Sequence, residues 1–495
     1  MGATGRGVVL LRLSGELSTK ARATRRQFVA RLRRNVKDAL ASAGVAAEIE
    51  GRHDRMLVHL EQMERPERAA LLTRVFGIQS LSLAECWPVG SLEDLVERGE
   101  VLYRERVAGR RFAVRTKVVG SAGAGGLRRR EVERALGARL LPHAARVDLS
   151  DPEVTVAVEL YEGHAYFFTE REAGPGGLPL GSGDRAVALV SGGFDSPVAA
   201  WQMLRRGVDL DYVFCNLGGR LHQLGTLRVM KVLADRWSFG ARPHLHAVDF
   251  AGISRELQAR SHPRYWQVIL KRWMLRAAEA IAQERGAQAI VTGEAVGQVS
   301  SQTLVNLRTI GQATTLPLLR PLVGSNKDEI IARARQIGTG ELSALVDEYC
   351  ALVPRQPATR AKLDVVLRQE AEMDPSVLEK ALAERQVLDL RALDPDASGM
   401  PELEVKEVPE GACLIDLRTR REYESWHPPE ALHLEFGHAL EAYPSFARDR
   451  TYVLYCEYGL KSAHLAERMQ QAGLRAFHLR GGTRALRRAL SRPSS

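Results

Sequence analysis

Cysteine is scarce in this chain of 495 residues: there are five, widely spaced, with no C-x-x-C among them. That pattern excludes a disulfide scaffold and a cysteine-rich zinc site. Long apolar runs are absent as well, so no transmembrane helix and no membrane partner are expected. The opening residues have only a short apolar stretch, Val8 to Leu13, broken by Arg12. They read as a first strand rather than a signal peptide, which predicts a cytoplasmic protein. The common phosphate-loop pattern G-x-x-x-x-G-K-[ST] occurs nowhere. Acidic residues fall short of basic ones, 60 against 70, and the formal net charge is +10. Such an excess is moderate for this length; it permits a polyanionic partner without demanding one.

The placement of the basic residues is more informative than their number. Lys20, Arg22, Arg25, Arg26, Arg31, Arg33, Arg34 and Lys37 crowd a helix expected over Thr24–Ala43 and its approach. Arg104, Arg106, Arg110, Arg111, Arg115 and Lys117 form a second cluster, and Arg128, Arg129 and Arg130 a third. One such cluster can be a solvated helix face; three in the N-terminal third point to a polyanion surface. The length implies several domains. Residues 1–60 and 61–173 read as two α+β units. The latter carries helices at Pro66–Val75, Ser91–Val107 and Arg130–Leu140. A Gly/Pro-rich stretch opens residues 174–393, which alternate strand and helix as a doubly wound parallel sheet does. They end in a charged helical stretch, Ala361 to Leu393. After a linker at 394–404, residues 405–495 alternate again as a smaller α/β domain.

Within the doubly wound region, residues 189–197 read Leu-Val-Ser-Gly-Gly-Phe-Asp-Ser-Pro. An apolar strand enters the glycine turn and a helix leaves it. Gly192 and Gly193 let backbone amides approach a phosphate. Ser191 and Ser196 add hydroxyls, and the helix N-terminus favours an anion. A second loop follows the apolar strand Thr451-Tyr-Val-Leu-Tyr: Cys456 opens Cys-Glu-Tyr-Gly-Leu-Lys-Ser, which runs into a helix. A thiol at a helix N-terminus, ringed by amides, is expected to have a lowered pKa and to be a good nucleophile. The same ring would hold the outer sulfur of a persulfide.

Ser-Gly-Gly-x-Asp-Ser resembles the pyrophosphate loop of the PP-loop ATP pyrophosphatases. The Cys456 loop resembles the active-site loop of rhodanese domains, with Leu414-Ile-Asp-Leu-Arg, Glu422 and His427-Pro-Pro-Glu-Ala similar to the elements upstream of it. Glu457 departs from the rhodaneses that use thiosulfate. It argues against a small anionic donor and for sulfur delivered by a partner protein. Further segments stand in the order of one family: Gly-Gly-Leu-Pro-Leu-Gly (176–181), Asn-Leu-Gly-Gly (216–219), Val-Thr-Gly-Glu-Ala-Val-Gly-Gln-Val-Ser-Ser-Gln-Thr (291–303), Leu-Arg-Pro-Leu (319–322) and Glu-Tyr-Cys (348–350). Together with the loops they resemble the tRNA 4-thiouridine synthetase (tRNA uracil 4-sulfurtransferase) family, in its long form with a C-terminal rhodanese domain.

That resemblance implies a ferredoxin-like N-terminal domain, a THUMP domain, a PP-loop domain and a rhodanese domain. It implies an ATP-dependent enzyme that adenylates O4 of a tRNA uridine and replaces the oxygen with sulfur from a Cys456 persulfide. Residue by residue, Leu189 and Val190 would line the nucleotide. Ser191, Gly192, Gly193, Asp195 and Ser196 would hold pyrophosphate, with Asp195 placing Mg²⁺. Phe214 and Cys215 would lie near adenine, and Lys271, Gly293 and Gln302 would complete the ATP site. Lys327 would meet phosphate or substrate RNA, and Arg115 and Lys117 would meet RNA. Cys350 would form a disulfide with Cys456 during turnover. The implied partners are tRNA, a cysteine desulfurase, the sulfur carrier protein of thiazole (thiamine) synthesis and a cellular thiol reductant; a homodimer is left open.

Overall fold

The computed structural model describes residues 6–52, 55–60, 70–119, 126–217, 219–346, 356–393, 403–457, 459–483 and 486–487. No helix among them is long and apolar enough to cross a membrane. The chain folds as two units. One is Met1–Gly183 with Arg205–Val208 and Phe239–Ala241, and the other is the remainder.

The first unit is built on one nine-stranded sheet. Its strands are β1 (Arg6–Leu13), β2 (Ala47–Arg52), β3 (Arg55–Leu60), β4 (Ile78–Pro88), β5 (Arg111–Val119), β6 (Arg146–Val147), β7 (Val154–Tyr161), β8 (His164–Phe168) and β9 (Glu172–Ala173). The order is β2-β3-β1-β4-β8-β7-β5-β6, with β9 also on β4. Alternation along β1 sends Val9, Leu11 and Leu13 to one face, where they meet Leu32, Val36, Ala39 and Leu40 of the helix Arg22–Ser42. Those four recur at helical spacing and make the stripe that buries the helix. Helices Leu92–Val107 and Arg129–Leu140 cover the other half of the sheet through Leu95, Tyr103, Val132 and Leu136.

The long strand β4 was not read from the sequence, although it pairs with both β1 and β8. Ser80 and Ser82 interrupt its apolar pattern and mimic a turn. In the fold both are buried. Ser80 Oγ accepts from Arg171 at 2.8 Å and Ser82 Oγ from Arg12 at 3.0 Å. The sheet therefore runs without a break across the boundary expected at residue 60. Of the helix expected at Pro66–Val75, Leu71–Arg74 is a single 3-10 turn and residues 66–69 lie outside the described residues.

The second unit holds two further sheets. The larger contains β10 (Arg185–Leu189), β11 (Asp209–Asn216), β12 (His244–Asp249), β13 (Ile290–Val291), β14 (Leu318–Leu319) and β15 (Gln386–Asp389), in the order β14-β13-β10-β11-β12-β15. All pairings are parallel except that of β15 with β12. From β10 the chain winds outward through β11 and β12, then returns to the other side of β10 for β13 and β14. The winding direction thus reverses between β10 and β13, and ligands of such sheets sit outside the carboxyl ends of the strands at that point. The stretch expected to be helical up to Leu393 is helical at Leu363–Ala371 and Ser376–Ala383, but Gln386–Asp389 is an edge strand. Its four residues are too few to show a period, and its ladder is supplied by β12.

The smaller sheet is parallel throughout: β16 (Glu404–Val405), β17 (Cys413–Asp416), β18 (Leu432–His433), β19 (Thr451–Tyr455) and β20 (Arg475–Leu479), ordered β16-β20-β19-β17-β18. Ile415 and Leu454 pack against Leu465, Ala466 and Met469 of the helix Leu460–Gln471. The α+β and α/β architecture expected from the sequence is the one observed.

Candidate active site: two strand–loop–helix turns

The glycine loop leaves the carboxyl end of β10 and enters the helix Asp195–Arg205. It is closed by one side chain. Ser196 Oγ accepts from the Ser191 amide at 2.9 Å and donates to the Ser191 carbonyl at 2.9 Å. Close approach explains two glycines. A Cβ on Gly192 would stand 2.3 Å from Val346 Cγ1, so its absence makes room for Val346. A Cβ on Gly293 would stand 2.9 Å from Ser196 N and 3.0 Å from Asp195 C. The end of β13 therefore lies directly against the first turn of the loop's helix, with no space for a side chain between them.

The loop opens onto a cavity of about 290 Å³. Apolar Leu189, Val190 and Phe214 line one part of it, and Ser191, Lys271 and Glu294 bring polar groups to it. Asp195 is held on both oxygens, by Lys327 Nζ at 2.9 Å and Gln298 Nε2 at 2.9 Å. Glu294 accepts from Lys271 Nζ at 3.1 Å, Arg320 Nε at 2.9 Å and Thr292 Oγ1 at 3.2 Å. Burial alone would raise the Glu294 carboxyl, but the charges of Lys271 and Arg320 outweigh it and keep this group below the usual carboxylate range. Two carboxylates and three cations thus meet at the carboxyl ends of β10, β13 and β14, in pairs whose partners an incoming polyphosphate can exchange.

The second turn leaves β19 and enters Leu460–Gln471. Cys456 is 3% exposed. Its Sγ lies 3.5 Å from Ser462 Oγ, and that hydroxyl donates to the Gly459 carbonyl at 3.1 Å. Gly459 has φ 73° and Gly482 φ 47°, both in the region that favours glycine. A Cβ on Gly482 would stand 2.2 Å from the Cys456 carbonyl oxygen. Below the loop Asp416 takes Arg418 Nε at 2.9 Å and the Tyr455 hydroxyl at 2.7 Å, all three buried. Glu422 does not join them; it forms a capping box with Thr419.

Four family models match the chain: "ThiI ferredoxin-like domain" over residues 8–82, "THUMP domain" over 90–170, "Thiamine biosynthesis protein (ThiI)" over 181–374 and "Rhodanese-like domain" over 402–489. A tRNA sulfurtransferase of Pyrobaculum aerophilum is 37% identical over 480 residues, 96% of each chain. That of Sodalis glossinidius is 34% identical and covers 94% of this chain and 98% of its own. This chain belongs to the tRNA sulfurtransferase family. It is an enzyme, a transferase, as the loop motifs led us to expect. Among solved structures, a 4-thiouridine synthetase–RNA complex with bound ATP is similar with a TM-score of 0.68 and 32% identity, over 77% of this chain and 99% of that one.

With the family in place, the expected site residues can be located. Leu189, Val190, Ser191, Asp195, Ser196, Phe214, Cys215, Lys271, Gly293 and Gln302 line one cavity. Gly192 and Gly193 lie in its loop. Lys327, expected at phosphate or RNA, is on Asp195 and so belongs to this same cluster. Burial pushes the Cys215 thiol well up, which leaves it an apolar wall rather than a nucleophile. Cys350 lies outside the described residues. Gln298 and Arg320 were not picked out as site residues, and Glu294 was placed only at a strand carboxyl end, without a role. All three stand inside segments that carried the family resemblance, and Arg320 directly follows β14, where the rule of strand carboxyl ends would have found it.

In the first unit, Arg115 and Lys117 are exposed on β5, and Arg115 donates to the Leu149 carbonyl. Lys117 borders a cavity of about 210 Å³ with Arg12, Arg25, Arg55 and Arg171. Buried Glu159 takes both Arg12 and Arg55 and so balances only one of their charges. Two members of the basic clusters are structural instead. Arg31 donates to the Leu180 and Gly240 carbonyls at 2.8 Å each, and Arg111 is shared among Asp148, Asp151 and Glu153.

Proposed function

We propose that this chain converts a uridine of tRNA into 4-thiouridine, using ATP at the β10–β13 cavity and sulfur carried on Cys456. One observation carries the reading: a glycine loop facing a cavity lined by Lys271, with Lys327 and Arg320 on its two carboxylates, on the same chain as a cysteine loop built on a second parallel sheet. The similar 4-thiouridine synthetase was solved with RNA and ATP, which supports ATP in this cavity and RNA on the basic first unit.

The chemistry then runs as follows. Uridine O4 attacks the α-phosphorus of ATP and pyrophosphate departs. The loop amides, the Ser191 hydroxyl and the N-terminus of Asp195–Arg205 take up its charge, with Lys271 and Lys327. Leu189, Val190, Phe214 and Cys215 enclose the base in apolar surface, and Gly293 and Gln302 complete the wall. Mg²⁺ is held by few protein carboxylates and largely by phosphate oxygens. Asp195, at the glycine loop with a carboxylate facing the cavity, is the residue that would hold it; the ion would neutralise phosphate charge there. The outer sulfur of the Cys456 persulfide attacks C4, and AMP leaves. The Cys350 thiolate next attacks Cys456 Sγ, the S–S bond breaks, and the sulfur stays on C4 as the thiocarbonyl. A Cys350–Cys456 disulfide remains, which a thiol reductant returns to two thiols. A cysteine desulfurase charges Cys456. RNA affinity comes from phosphate contacts, with Arg115 and Lys117 among them.

The test is nucleoside mass spectrometry of an unmodified tRNA transcript incubated with protein, Mg-ATP, cysteine, a cysteine desulfurase and reductant, beside Cys456→Ala. 4-Thiouridine formed by the intact chain alone is the expected result; none from either refutes the reading. A second role rests on the separate core of the cysteine domain: the Cys456 loop also charges the sulfur carrier protein of thiazole synthesis, an activity that Asp195→Ala should leave intact.

A further inference from the structure

The cysteine loop is tied to the nucleotide-binding sheet's own helices by two ion pairs of opposite sense. Glu457, next to Cys456, accepts from Arg236 Nη2 at 2.7 Å. Arg236 lies near the end of the helix Gly219–Trp237, which Trp237 fixes by donating to the Ile337 carbonyl at 2.9 Å. Lys461, at the start of the helix that follows Cys456, pairs with Glu341 of the short helix Gly340–Ser343. That short helix and the turn after it also touch the glycine loop: Ser343 Oγ donates to the Gly193 carbonyl at 3.3 Å, and Val346, three residues on, fills the space beside Gly192. One short element therefore separates the sulfur-bearing loop from the pyrophosphate loop.

The charges alternate. The cysteine loop offers an acid and then a base, and the sheet's helices offer a base and then an acid. Reversing either sign, or shifting the register, would set like charges together. The pairing also changes the meaning of Glu457. In the sequence it reads as a charge that repels small anionic donors; in the fold Arg236 balances it. Partly exposed ion pairs are individually weak, yet two such pairs between parts of one chain act at high effective concentration. They favour docking and still release the loop.

We propose that Arg236 and Glu341 form a docking site for the Cys456 loop of the same chain, and that sulfur passes to the activated RNA from this docked arrangement. The inference rests on the sulfur-transfer reading above. All four residues are positioning residues, since none touches the reacting atoms.

The experiment uses the full chain carrying Arg236→Glu. Persulfide loading by a cysteine desulfurase and ATP–pyrophosphate exchange should stay at the wild-type rate. Single-turnover sulfur transfer from the loaded protein to tRNA should fall about tenfold, as for loss of a close charge pair. Adding Glu457→Arg should restore most of the rate, and Glu341→Lys with Lys461→Glu should behave in parallel. Wild-type transfer in Arg236→Glu, or failure of both charge swaps to restore it, overturns the proposal. If the wild-type chain makes no 4-thiouridine, the sulfur-transfer reading has failed and docking is judged by amide exchange in residues 229–237 and 340–346. Exchange must rise in Arg236→Glu and return in the swap; unchanged exchange overturns the docking site as well.

Discussion

The two loops of the second unit are the same backbone device turned to different ends. Each leaves the carboxyl end of a central parallel strand, makes a tight turn and enters a helix N-terminus. Each is hugged by a glycine from a neighbouring segment, Gly293 in one case and Gly482 in the other. The first opens onto a cavity whose two carboxylates, Asp195 and Glu294, are paired with Lys327, Lys271 and Arg320. The second has its cysteine 3% exposed beside Ser462. One loop faces a cavity open to a ligand; the other encloses a buried side chain of its own. The difference lies in the residue at the turn, not in the fold.

The comparison breaks most sharply under the two largest substitutions. Asp195→Ala and Cys456→Ala should each lower 4-thiouridine formation by about 10³-fold or more. Asp195→Ala should still accept persulfide sulfur, and Cys456→Ala should still exchange pyrophosphate into ATP. Loss of both half-reactions in either variant would mean that the loops are not separable.

The glycines come next. Gly293→Ala forces the backbone of Asp195 and Ser196 to move, and a misplacement near 1 Å costs about 10²-fold; pyrophosphate exchange should fall by that much with persulfide loading kept. Gly482→Ala meets the Cys456 carbonyl at a positive φ and should show the reverse. Gly192→Ala meets only the Val346 side chain, so Val346→Ala should rescue it. Rescue of Gly293→Ala by a side-chain truncation would contradict the geometry, because its neighbours are backbone.

Much of this site was legible because its chemistry is local. The serines, glycines and aspartate of residues 191–196 sit in one turn, and their spacing is that of the turn itself. Glu294 was legible in position, at the carboxyl end of an expected strand, but not in its partners: Lys271 and Arg320 reach it from α-helical and β14 segments that only the fold brings together. Gln298, in a loop away from any strand end, gave no such signal. Strand β4 was missed for a similar reason. Ser80 and Ser82 look like turn residues until Arg171 and Arg12 arrive from elsewhere in the chain to satisfy them. The motif of Asp416, Arg418 and Glu422 divides its labour in the fold: Asp416 and Arg418 pair with each other, and Glu422 caps its own helix turn through Thr419.

Lys327 sharpens the comparison at the next scale. Its pairing with Asp195 sets it beside the glycine loop. Lys327→Met should raise KM for ATP about tenfold, the effect of one charge-assisted contact, and leave KM for tRNA near its wild-type value. A shift in tRNA alone would return Lys327 to the RNA surface.

The smallest expected effect concerns the two sheets beneath the loops. Each carries a buried histidine: His246 on β12, pushed down to about 4 by burial, and His478 on β20, pushed down by burial with Arg228 adding to it. Both stay neutral in the fold at pH values where the unfolded chain, titrating near 6.5, takes up a proton. The unfolded state therefore binds more protons as pH falls, and the stability that each neutral histidine contributes is full above about 6.5 and is lost on the way down toward 4. Glu294 behaves differently. Its carboxyl is depressed, so its contribution persists through that window and goes only at lower pH. Between pH 7 and 5 the sheets should weaken while the ion cluster at the nucleotide site holds. A thermal scan of His246→Gln and His478→Gln against wild type should show a shallower fall in Tm over this range in each variant. An identical fall in all three would mean that the acid sensitivity arises elsewhere in the chain.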